Sequence, residues 1–375
     1  MRPIQMVDLQ SQYENIKHEV DEAVFSVIRS ARFILGPDVR QFEEELMQYT
    51  GAKNVIACAN GTDALKIALI ALELKPGDEI IAPTFTFIST AEVAALLGLK
   101  VVFADSLYDT FNIDPASIRK AITRKTKAII PVHLYGQCAA MDEIMKIAKE
   151  NKIFVIEDNA QAIGAEYFFK NGTGKKAGTI GDAGTTSFFP SKNLGAYGDG
   201  GAIFTDNSRL AEKLRMIANH GQKKRYFYDA IGLNSRLDTL QAAILRVKLK
   251  KLDGYITARR KAADYYDKAF SGLKNVVIPY RQAQSTHVFH QYTLKVIGGS
   301  RDGLMEHLQK NNIPSMLYYP MPLHLQRAFR GNRWKRGDFP VAEKLAKQII
   351  SLPMHTELDE EQLEYITKKA VEYFG

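Results

Sequence analysis

The sequence has few cysteines and no long apolar segment. Only two cysteines, Cys58 and Cys138, occur among its 375 residues. Two thiols cannot form the disulfide framework of a small secreted protein, and they suit a reducing compartment. No apolar run approaches the roughly 20 residues of a membrane helix. The stretch from Met1 to Tyr13 also lacks the apolar core of a secretory signal. We therefore expect a cytoplasmic protein with no membrane partner.

Internal repeats and low-complexity segments are also absent, and the composition is ordinary. Apolar residues make up 46% of the chain and charged residues 25%, which excludes disorder, collagen and coiled coil as the main structure. The length exceeds the roughly 100–200 residues of one ordinary domain. We expect a large domain over residues 1–250 and a small C-terminal domain over 251–375, with the N-terminal helix packed against either of them.

The charge balance is moderately basic. The chain has 50 basic and 42 acidic residues, a net charge of +8, and such a field can attract nucleic acid, nucleotides or phosphates. The basic residues are scattered through helical stretches, as on solvated helix faces, apart from one cluster at Lys223, Lys224 and Arg225. The scatter argues against a nucleic-acid partner, although the cluster could face an anionic ligand.

Short β-branched segments alternate with amphipathic ones between about residues 54 and 206. The strand candidates are Val55–Ala59, Glu79–Ala82, Val101–Ala104, Ala128–Val132, Phe154–Glu157, Thr185–Phe189 and Ala202–Thr205. Helix candidates between them include Thr62–Leu72, Ser89–Leu97 and Met141–Asn151. This alternation predicts a largely parallel sheet in a three-layer α/β domain. Ligands of such sheets bind at the carboxyl ends of the strands, so residues just after each strand are the first candidates for a site.

The pattern changes after Asp238. Apolar residues at helical spacing predict a long helix from Thr239 to about Phe270. A smaller α+β section follows, with strand candidates at Tyr292–Val296 and Ser315–Tyr319. Another helix is expected near the start of the chain, over about Gln10–Arg29.

Asp158 comes directly after a buried strand candidate. A carboxylate at the carboxyl end of a parallel strand points into the ligand crevice. Gln161 would lie one turn away if a helix began at Asn159. The simpler interpretation is that Asp158 only caps such a helix, and these residues alone leave both interpretations open.

Lys192 lies just past another strand candidate, in a loop rich in proline and glycine that runs from Ser187 to Gly201. A lysine with little access to solvent has a lowered pKa, as a Schiff-base nucleophile requires. An ordinary loop lysine is the alternative.

The segment Asn60–Leu65 joins a strand to a helix. Free N–H groups at that helix start, with the Thr62 hydroxyl, form either a phosphate site or a plain N-cap. The chain has neither a Walker loop nor a GxGxxG fingerprint. A phosphate site, a nucleophilic lysine and a carboxylate for a ring nitrogen together fit one ligand, pyridoxal 5′-phosphate (PLP).

Six segments, in this order, resemble the DegT/DnrJ/EryC1/StrS family of sugar aminotransferases within the fold-type I PLP enzymes. They are Asn60–Leu65, His133–Gln137, Glu157–Gln161, Ser187–Ala202, Gly232–Asp238 with Gln241–Ala243, and Tyr319–His324. The resemblance covers essentially the whole chain. It implies a three-layer sandwich with a mainly parallel seven-stranded sheet, followed by a smaller C-terminal α+β domain.

The resemblance also implies a role for each matching residue. Lys192 would be the Schiff-base lysine, and Asp158 would pair with the pyridinium nitrogen. The other cofactor contacts would be Gly61, Thr62 and Ser187 at the phosphate, Phe87 against the ring, Gln161 at the phenolic oxygen, and Asn234 at the phosphate of the partner subunit. Such sharing implies a homodimer. The substrate pocket would include Arg236, Tyr318, Tyr319 and His324. No metal site is expected.

The implied reaction carries an amino group from L-glutamate, through pyridoxamine phosphate, to a nucleotide-linked keto-sugar for amino-sugar and glycan biosynthesis. Pro190–Gly195 with Gly198–Gly201 resembles the enzymes that act at C3 of the sugar. Two segments, Phe188–Lys192 and Thr90–Glu92, resemble the enzymes that aminate UDP-2-acetamido-3-keto-glucuronic acid. A third segment, Asn234–Leu249, resembles the dTDP-3-keto-6-deoxyhexose 3-aminotransferases just as much. We favour the UDP-linked substrate.

Other functions fit parts of the pattern. A PLP-dependent sugar dehydratase of this fold would lack the Schiff-base lysine, so Lys192 argues against it. A non-catalytic protein for regulation or nucleic-acid binding would not need the full set of Asp158, Gln161, Ser187 and Lys192. Tyr318 departs from the family, since many relatives have histidine there, and this leaves the identity of the sugar open.

Overall fold

The computed structural model describes residues 2–329 and 334–375. Its helices are α1 (Leu9–Ser30), α2 (Pro37–Thr50), α3 (Gly61–Ala71), α4 (Ser89–Leu96), α5 (Pro115–Ala121), α6 (Met141–Asn151), α7 (Ser208–Ala218), α8 (Thr239–Leu249), α9 (Leu252–Phe270), α10 (Arg301–Lys310), α11 (Pro340–Gln348) and α12 (Glu360–Phe374). Its strands are β1 (Asn54–Cys58), β2 (Glu79–Pro83), β3 (Lys100–Ala104), β4 (Thr126–Ile129), β5 (Phe154–Asp158), β6 (Glu166–Phe168), β7 (Gly174–Lys176), β8 (Ala183–Ser187), β9 (Gly201–Thr205), β10 (Gln222–Lys224), β11 (Phe227–Tyr228), β12 (Val276–Val277), β13 (Tyr292–Val296) and β14 (Ile349–Leu352).

The large sheet has seven strands in the order β1-β9-β8-β5-β4-β2-β3. Only β9 runs antiparallel to its neighbours, β1 and β8; the other pairs are parallel. Each predicted strand between residues 54 and 206 overlaps one of these seven. The prediction of a mainly parallel seven-stranded sheet is therefore confirmed.

Helices cover both faces of this sheet, because its strands are apolar on both sides. Phe42 of α2 and Ile144 of α6 are fully buried in the core on one face. Ile67 of α3 and Leu214 of α7 are fully buried in the core on the other. The result is the expected three-layer arrangement, with the carboxyl ends of the parallel strands open at one edge.

The C-terminal section is built on the antiparallel sheet β12-β13-β14, with α9, α10 and α12 packed against it. The predicted strand at Ser315–Tyr319 is wrong. Only Met316 forms an isolated bridge, to Ser351 in β14, and β14 itself was not anticipated. The single helix predicted from Thr239 divides into α8 and α9, which are joined through Lys250 and Lys251.

The domain boundary at residue 250 stays a prediction, because α9 contributes to two cores. Leu252 and Ile256 belong to the large-sheet core, whereas Tyr266 and Phe270 belong to the C-terminal one. Helix α1 also contacts both parts. It packs on α8, and Gln12 Nε2 in its first turns donates to the Thr356 hydroxyl at 3.1 Å. Over residues 2–329 and 334–375, no helix is long and apolar enough to cross a membrane.

Candidate active site

Asp158 is the last residue of β5, and only 6% of its surface is exposed. Its Oδ2 accepts a hydrogen bond from the Thr90 hydroxyl at 2.8 Å, and its Oδ1 accepts one from the Ala160 N–H at 3.2 Å. Turns, not a helix, follow it, so the interpretation of Asp158 as a helix cap is wrong. Because a carboxylate has about four lone-pair sites, Asp158 keeps acceptor capacity for a ligand.

Lys192 lies in the loop between β8 and β9, where its N–H donates to the Phe189 carbonyl at 2.8 Å. The side chain is half-buried. Burial lowers the pKa of Lys192 to about 8, and the negative charge of Asp158 partly opposes this shift. The two groups predicted to be catalytic therefore lie in one site. A lysine with this pKa is about one-tenth unprotonated at pH 7, and the unprotonated amine is the nucleophile.

Helix α3 points its N-terminus at the same edge of the sheet. Asn60 caps the helix with its side chain, and the Thr62 hydroxyl lies 2.8 Å from that of Ser89. A Cβ on Gly61 would lie 2.7 Å from the Ser187 Cβ, so only glycine allows this close approach. Three predicted phosphate residues, Gly61, Thr62 and Ser187, are thereby brought to one helix start, where N–H groups and the helix dipole favour an anion.

Gln161 connects two distant segments at the site. Its Oε1 accepts from the Tyr135 N–H at 2.7 Å, and its Nε2 donates to the Tyr319 hydroxyl at 3.2 Å. The Tyr319 ring lies 6.2 Å from that of Phe87, measured between centroids, and Phe87 is 54% exposed. The fold thus gathers Gln161, Phe87 and Tyr319 around one space.

Tyr318 and His324 flank Tyr319 in the sequence but have different surroundings. The Tyr135 hydroxyl donates to the Tyr318 carbonyl. His324 is 2% exposed, with Nδ1 2.7 Å from the Thr84 hydroxyl and Nε2 3.1 Å from Glu343 Oε1. Both ring nitrogens are engaged, so a direct contact with substrate would have to break one of these bonds. The substrate role of His324 stays a prediction.

The side chains of Asn234 and Arg236 share no hydrogen bond with this set among the described residues, although the Ser235 hydroxyl between them accepts from the Ala59 N–H at 3.2 Å, next to the start of α3. Arg236 Nη1 donates to Asn219 Oδ1 at 3.2 Å, and no hydrogen bond among the described residues joins either side chain to Lys192. Arg236 lines a groove of about 1670 Å³ whose wall also includes the exposed apolar residues 33–35. Of these two residues, the structure therefore places Arg236 on this groove.

Sequence reasoning missed several contacts of the site. Thr90 was noted only for its resemblance to other enzymes, not as the partner of Asp158. Tyr135, which bonds Gln161, had no signal beyond its place in a matching motif. His290 is 5% exposed, and burial together with the charge of Lys192 holds the pKa of His290 well below its ordinary value. No local pattern marks such residues, because their partners are distant in the chain.

The assembled groups fit PLP. Lys192 offers an amine of lowered pKa, Asp158 offers a buried carboxylate with free acceptor capacity, and α3 offers an N-terminus for a phosphate. The glycine at position 61 leaves room that a Cβ would fill. These are the contacts that PLP enzymes need.

The family comparison decides the assignment. The model of the DegT/DnrJ/EryC1/StrS aminotransferase family matches residues 14–371. The chain belongs to this family. The match covers nearly the whole chain, so both the large sheet and the C-terminal section take part in the resemblance.

Individual relatives are similar over nearly their full length. The chain is 49% identical over 373 residues to a pleiotropic regulatory protein of Geobacillus stearothermophilus, covering 99% of this chain and 98% of the relative. It is 46% identical over 365 residues to UDP-2-acetamido-2-deoxy-3-oxo-D-glucuronate aminotransferase of Pseudomonas aeruginosa, with 97% and 98% covered. It is 37% identical over 359 residues to dTDP-3-amino-3,4,6-trideoxy-alpha-D-glucose transaminase of Streptomyces venezuelae, with 96% and 93% covered.

Solved structures agree with this assignment. S. venezuelae DesV in complex with a ketimine intermediate matches with a TM-score of 0.95 at 36% identity, covering 100% of this chain and 99% of that one. NtdA from Bacillus subtilis with bound pyridoxamine phosphate matches with a TM-score of 0.89 at 31% identity, covering 98% and 83%. This member of the family is a PLP-dependent aminotransferase, which confirms the predicted family, fold class, enzyme class and cofactor.

Proposed function

We propose that this aminotransferase moves an amino group from L-glutamate to C3 of UDP-2-acetamido-3-keto-glucuronic acid, a step in amino-sugar and glycan biosynthesis. The observation that carries the choice of substrate is the 46% identity, over 365 residues, to the P. aeruginosa enzyme named for that reaction. The choice of reaction rests on the shared site of Lys192 and Asp158.

The proposed chemistry uses few protein groups. PLP, when bound, supplies an electrophilic carbonyl and a ring that delocalises the electrons of a carbanion. We assign Lys192 Nζ the covalent attachment of the cofactor and, once free, the removal of a proton from the donor's α-carbon. We assign Asp158 the ring nitrogen, because a buried negative charge keeps that nitrogen protonated. Thr90 holds the Asp158 carboxylate in position through its hydroxyl.

We assign the remaining cofactor contacts by the same geometry. The start of α3, with Gly61 and Thr62, and the facing Ser187 would bind the phosphate through N–H and hydroxyl donors. Phe87 would pack on the ring, and Gln161 would donate to the phenolic oxygen. Tyr319 bonds the Gln161 amide, so this substrate-side tyrosine would also orient a cofactor contact.

Arg236 is our candidate for telling the two sugar classes apart. A glucuronic acid carries a carboxylate that a 6-deoxyhexose lacks, and a guanidinium binds a carboxylate through two parallel hydrogen bonds. We expect Arg236→Gln to lower kcat/KM for the uronic acid by about 100-fold, the size expected when one partner of a bonded charge pair is removed. The kcat/KM for a 6-deoxyhexose substrate should fall much less.

The second candidate is a dTDP-3-keto-6-deoxyhexose 3-aminotransferase. The 37% identity over 359 residues to the S. venezuelae dTDP-sugar transaminase favours it. Tyr318, which replaces the histidine of many relatives, bears on this choice because it changes the donors of the sugar pocket.

A regulatory role is a more remote alternative, and the Geobacillus relative is named for one. The intact pair of Lys192 and Asp158 argues against a non-catalytic protein. Any regulation would therefore be additional to transamination.

The substrate can be assayed in the reverse direction. Purified enzyme would receive 2-oxoglutarate with either the UDP-linked 3-amino uronic acid or a dTDP-linked 3-amino-6-deoxyhexose, and glutamate formation would be measured. We expect a higher kcat/KM with the UDP-linked sugar. The opposite preference would favour the second candidate. No turnover of either sugar, in an enzyme whose bound PLP still reacts with L-glutamate, would reject both sugars and keep the reaction class.

We also propose that two copies share their active sites, with Asn234 of one copy serving the phosphate of the other. The exposed apolar residues 33–35, on the groove that Arg236 lines, support this proposal, since patches of this kind mark interaction surfaces. The test mixes two inactive variants, Lys192→Ala and Asn234→Ala. Random exchange of subunits should restore about a quarter of the sites, because half of the dimers are mixed and each has one intact site. No recovery in mixtures whose subunits exchange would contradict the sharing.

A further inference from the structure

Helices α8 and α9 present a row of polar side chains to the protein interior. Lys248 lies at the end of α8, and Tyr255 and Arg259 lie four residues apart on one face of α9. The charge of Arg259 contributes to lowering the pKa of Lys248, so the two cations lie near each other. Lys248 is 1% exposed and Arg259 is 2% exposed. Two cations are thus almost fully removed from water, and the mechanism uses neither.

Arg259 is only partly satisfied by the backbone. Its Nη1 donates to the carbonyls of Phe289, His290 and Met354, at 3.1, 3.4 and 2.9 Å. Its Nε is buried and has no hydrogen-bond partner within residues 2–329 and 334–375. One N–H of the guanidinium is therefore left for another acceptor.

Lys248 has still fewer contacts. Its Nζ is buried without a hydrogen-bond partner in the described part of the chain and lies 4.9 Å from the centre of the Tyr197 ring. Burial, and next the charge of Arg259, lower the pKa of Lys248 to about 8. A lysine with that pKa is still mostly protonated at neutral pH.

Two hydroxyls complete the cluster. The hydroxyl oxygens of Tyr197 and Tyr255 are buried and have no partner among the residues that the structure describes. The two tyrosines are close enough that Tyr197 contributes to raising the pKa of Tyr255, after burial. Burial also raises the pKa of Tyr197 to about 12. Both hydroxyls are therefore protonated at neutral pH and able to donate.

Within the described residues, the protein pairs neither cation of this cluster with a carboxylate. Glu19 and Glu357 contribute to raising the pKa of Tyr255, and Asp21 contributes to raising that of Tyr197, but neither hydroxyl is bonded to any of them. No carboxylate in the described ranges forms an ion pair with Lys248 or Arg259, although the chain forms many such pairs elsewhere. Buried charges are ordinarily paired, because an isolated one is costly to remove from water. An ammonium, a guanidinium N–H and two hydroxyls are all donors, so the set matches an anion.

We propose that this face binds one small monovalent anion of the size of chloride, through Lys248 Nζ, Arg259 Nε and the hydroxyls of Tyr197 and Tyr255. The near-complete burial of the two cations excludes a large ligand. Tyr197 lies five residues after Lys192 in the same loop, and its N–H donates to Gln241 Oε1 of α8 at 2.9 Å. The anion therefore ties the loop that carries the reactive lysine to α8 and α9.

Bromide tests the site, because it is similar to chloride and visible by anomalous scattering. Crystals of the PLP-loaded enzyme in sodium bromide should show a bromide peak in contact with Lys248 Nζ. In solution, the Tm should rise with sodium bromide and not with sodium gluconate at equal ionic strength, since an ion that binds only the folded state stabilises it. Water at that position, or the same Tm in both salts, would overturn the proposal. A peak without a bromide-dependent Tm would mean an adventitious ion only and would also overturn it.

Lys248→Met keeps the length of the side chain and removes the charge. It should lose both the bromide peak and the bromide-dependent rise in Tm, and the same change at the exposed Lys250 should lose neither. A Lys248→Met protein that keeps the full bromide response would contradict the assignment. If that variant fails to fold, Tyr255→Phe removes a single donor and should weaken bromide binding several-fold; an unchanged affinity would contradict the proposal equally.

Discussion

Glu157 and Asp158 are adjacent carboxylates at the end of β5, and their surroundings are opposite. Glu157 is fully buried and accepts from the N–H groups of Gly178, Ile180 and Gly181, at 2.9, 2.6 and 2.7 Å. It also lies 2.8 Å from Nε2 of the equally buried His133. Among the residues that the structure describes, Asp158 accepts only from Thr90 and Ala160. One carboxylate has every acceptor site used by the protein, and the other does not.

The difference follows from strand geometry. Successive side chains of a strand point to opposite faces of the sheet, so neighbours in the sequence enter different environments. His133 Nδ1 accepts from the Ala139 N–H at 3.1 Å, which leaves Nε2 as the donor to Glu157. Glu157 therefore holds the turn from Gly178 to Gly181 and the segment after β4 in place. The unfilled acceptor sites of Asp158 are the reason that we propose a ligand contact for it and a structural role for Glu157.

The largest effect should come from removing the nucleophile beside Asp158. Lys192→Ala should lower transamination by about 10⁴-fold or more, because both covalent attachment and proton transfer are lost. The visible absorption of lysine-bound PLP should vanish as well. Lys175→Ala, at an exposed lysine, is the matched control and should change neither property. Substantial activity in Lys192→Ala would contradict the assignment of Lys192 as the nucleophile.

Asp158→Asn removes the charge of the carboxylate that has unfilled acceptor sites, with almost no change in the shape of the side chain. We expect kcat to fall by about 10²–10³-fold, the size expected when one preorganised electrostatic contact is lost. The Tm of the apoprotein should change little, since few protein groups depend on the charge. Steady-state kinetics and thermal unfolding of the same preparation measure both. A large loss of stability with normal kcat would give Asp158 the role that we assign to Glu157.

Glu157→Gln is the counterpart of Asp158→Asn, and we expect it to lower stability rather than kcat. An amide cannot accept on its NH₂ side, so at least one buried N–H loses its partner and the free energy of unfolding should fall by about 1–3 kcal/mol. The kcat of the molecules that remain folded should be close to that of the wild type. Chemical denaturation and active-site titration measure the two quantities. A fall in kcat with unchanged stability would contradict the comparison.

The smallest effect concerns the influence of the Asp158 charge on the pKa of Lys192. Because the pKa of Lys192 is lowered to about 8, the rate at which the apoprotein captures PLP should rise with pH and level off above that value. A negative charge favours the ammonium form, so Asp158→Asn should move the midpoint to lower pH. Stopped-flow absorbance over a pH series detects the shift. A midpoint that moves upward would contradict the sign of this interaction.

Much of the fold could be predicted from the sequence because its signals are local. Met141–Asn151 is a helix with the predicted bounds, and Tyr292–Val296 is a strand with the predicted bounds. The strand predicted at Ser315–Tyr319 failed because the partner of that segment, β14, lies more than 30 residues away and only Met316 pairs with it. The sequence of such an extended segment is typical of a strand, and only the tertiary structure shows whether another strand pairs with it.

The candidate site shows the same division. Asp158 and Lys192 could be singled out because each follows a strand, and strand ends are where such sheets bind ligands. Thr90, Tyr135 and His290 could not, since they meet the site only through contacts between distant parts of the chain.

The sequence by itself determined the alternation of strands and helices and the family, and it marked Lys192 as the candidate Schiff-base lysine, because periodicity and motifs lie in consecutive residues. The tertiary structure decided that Asp158, and not the adjacent Glu157, keeps unfilled acceptor sites. It also decided that Lys248 and Arg259 are buried without an ion-pair partner among the described residues. It also placed Arg236 on a groove lined by the exposed apolar residues 33–35. Each of these outcomes depends on which partners the topology brings within hydrogen-bond distance, and no spacing along the chain encodes that.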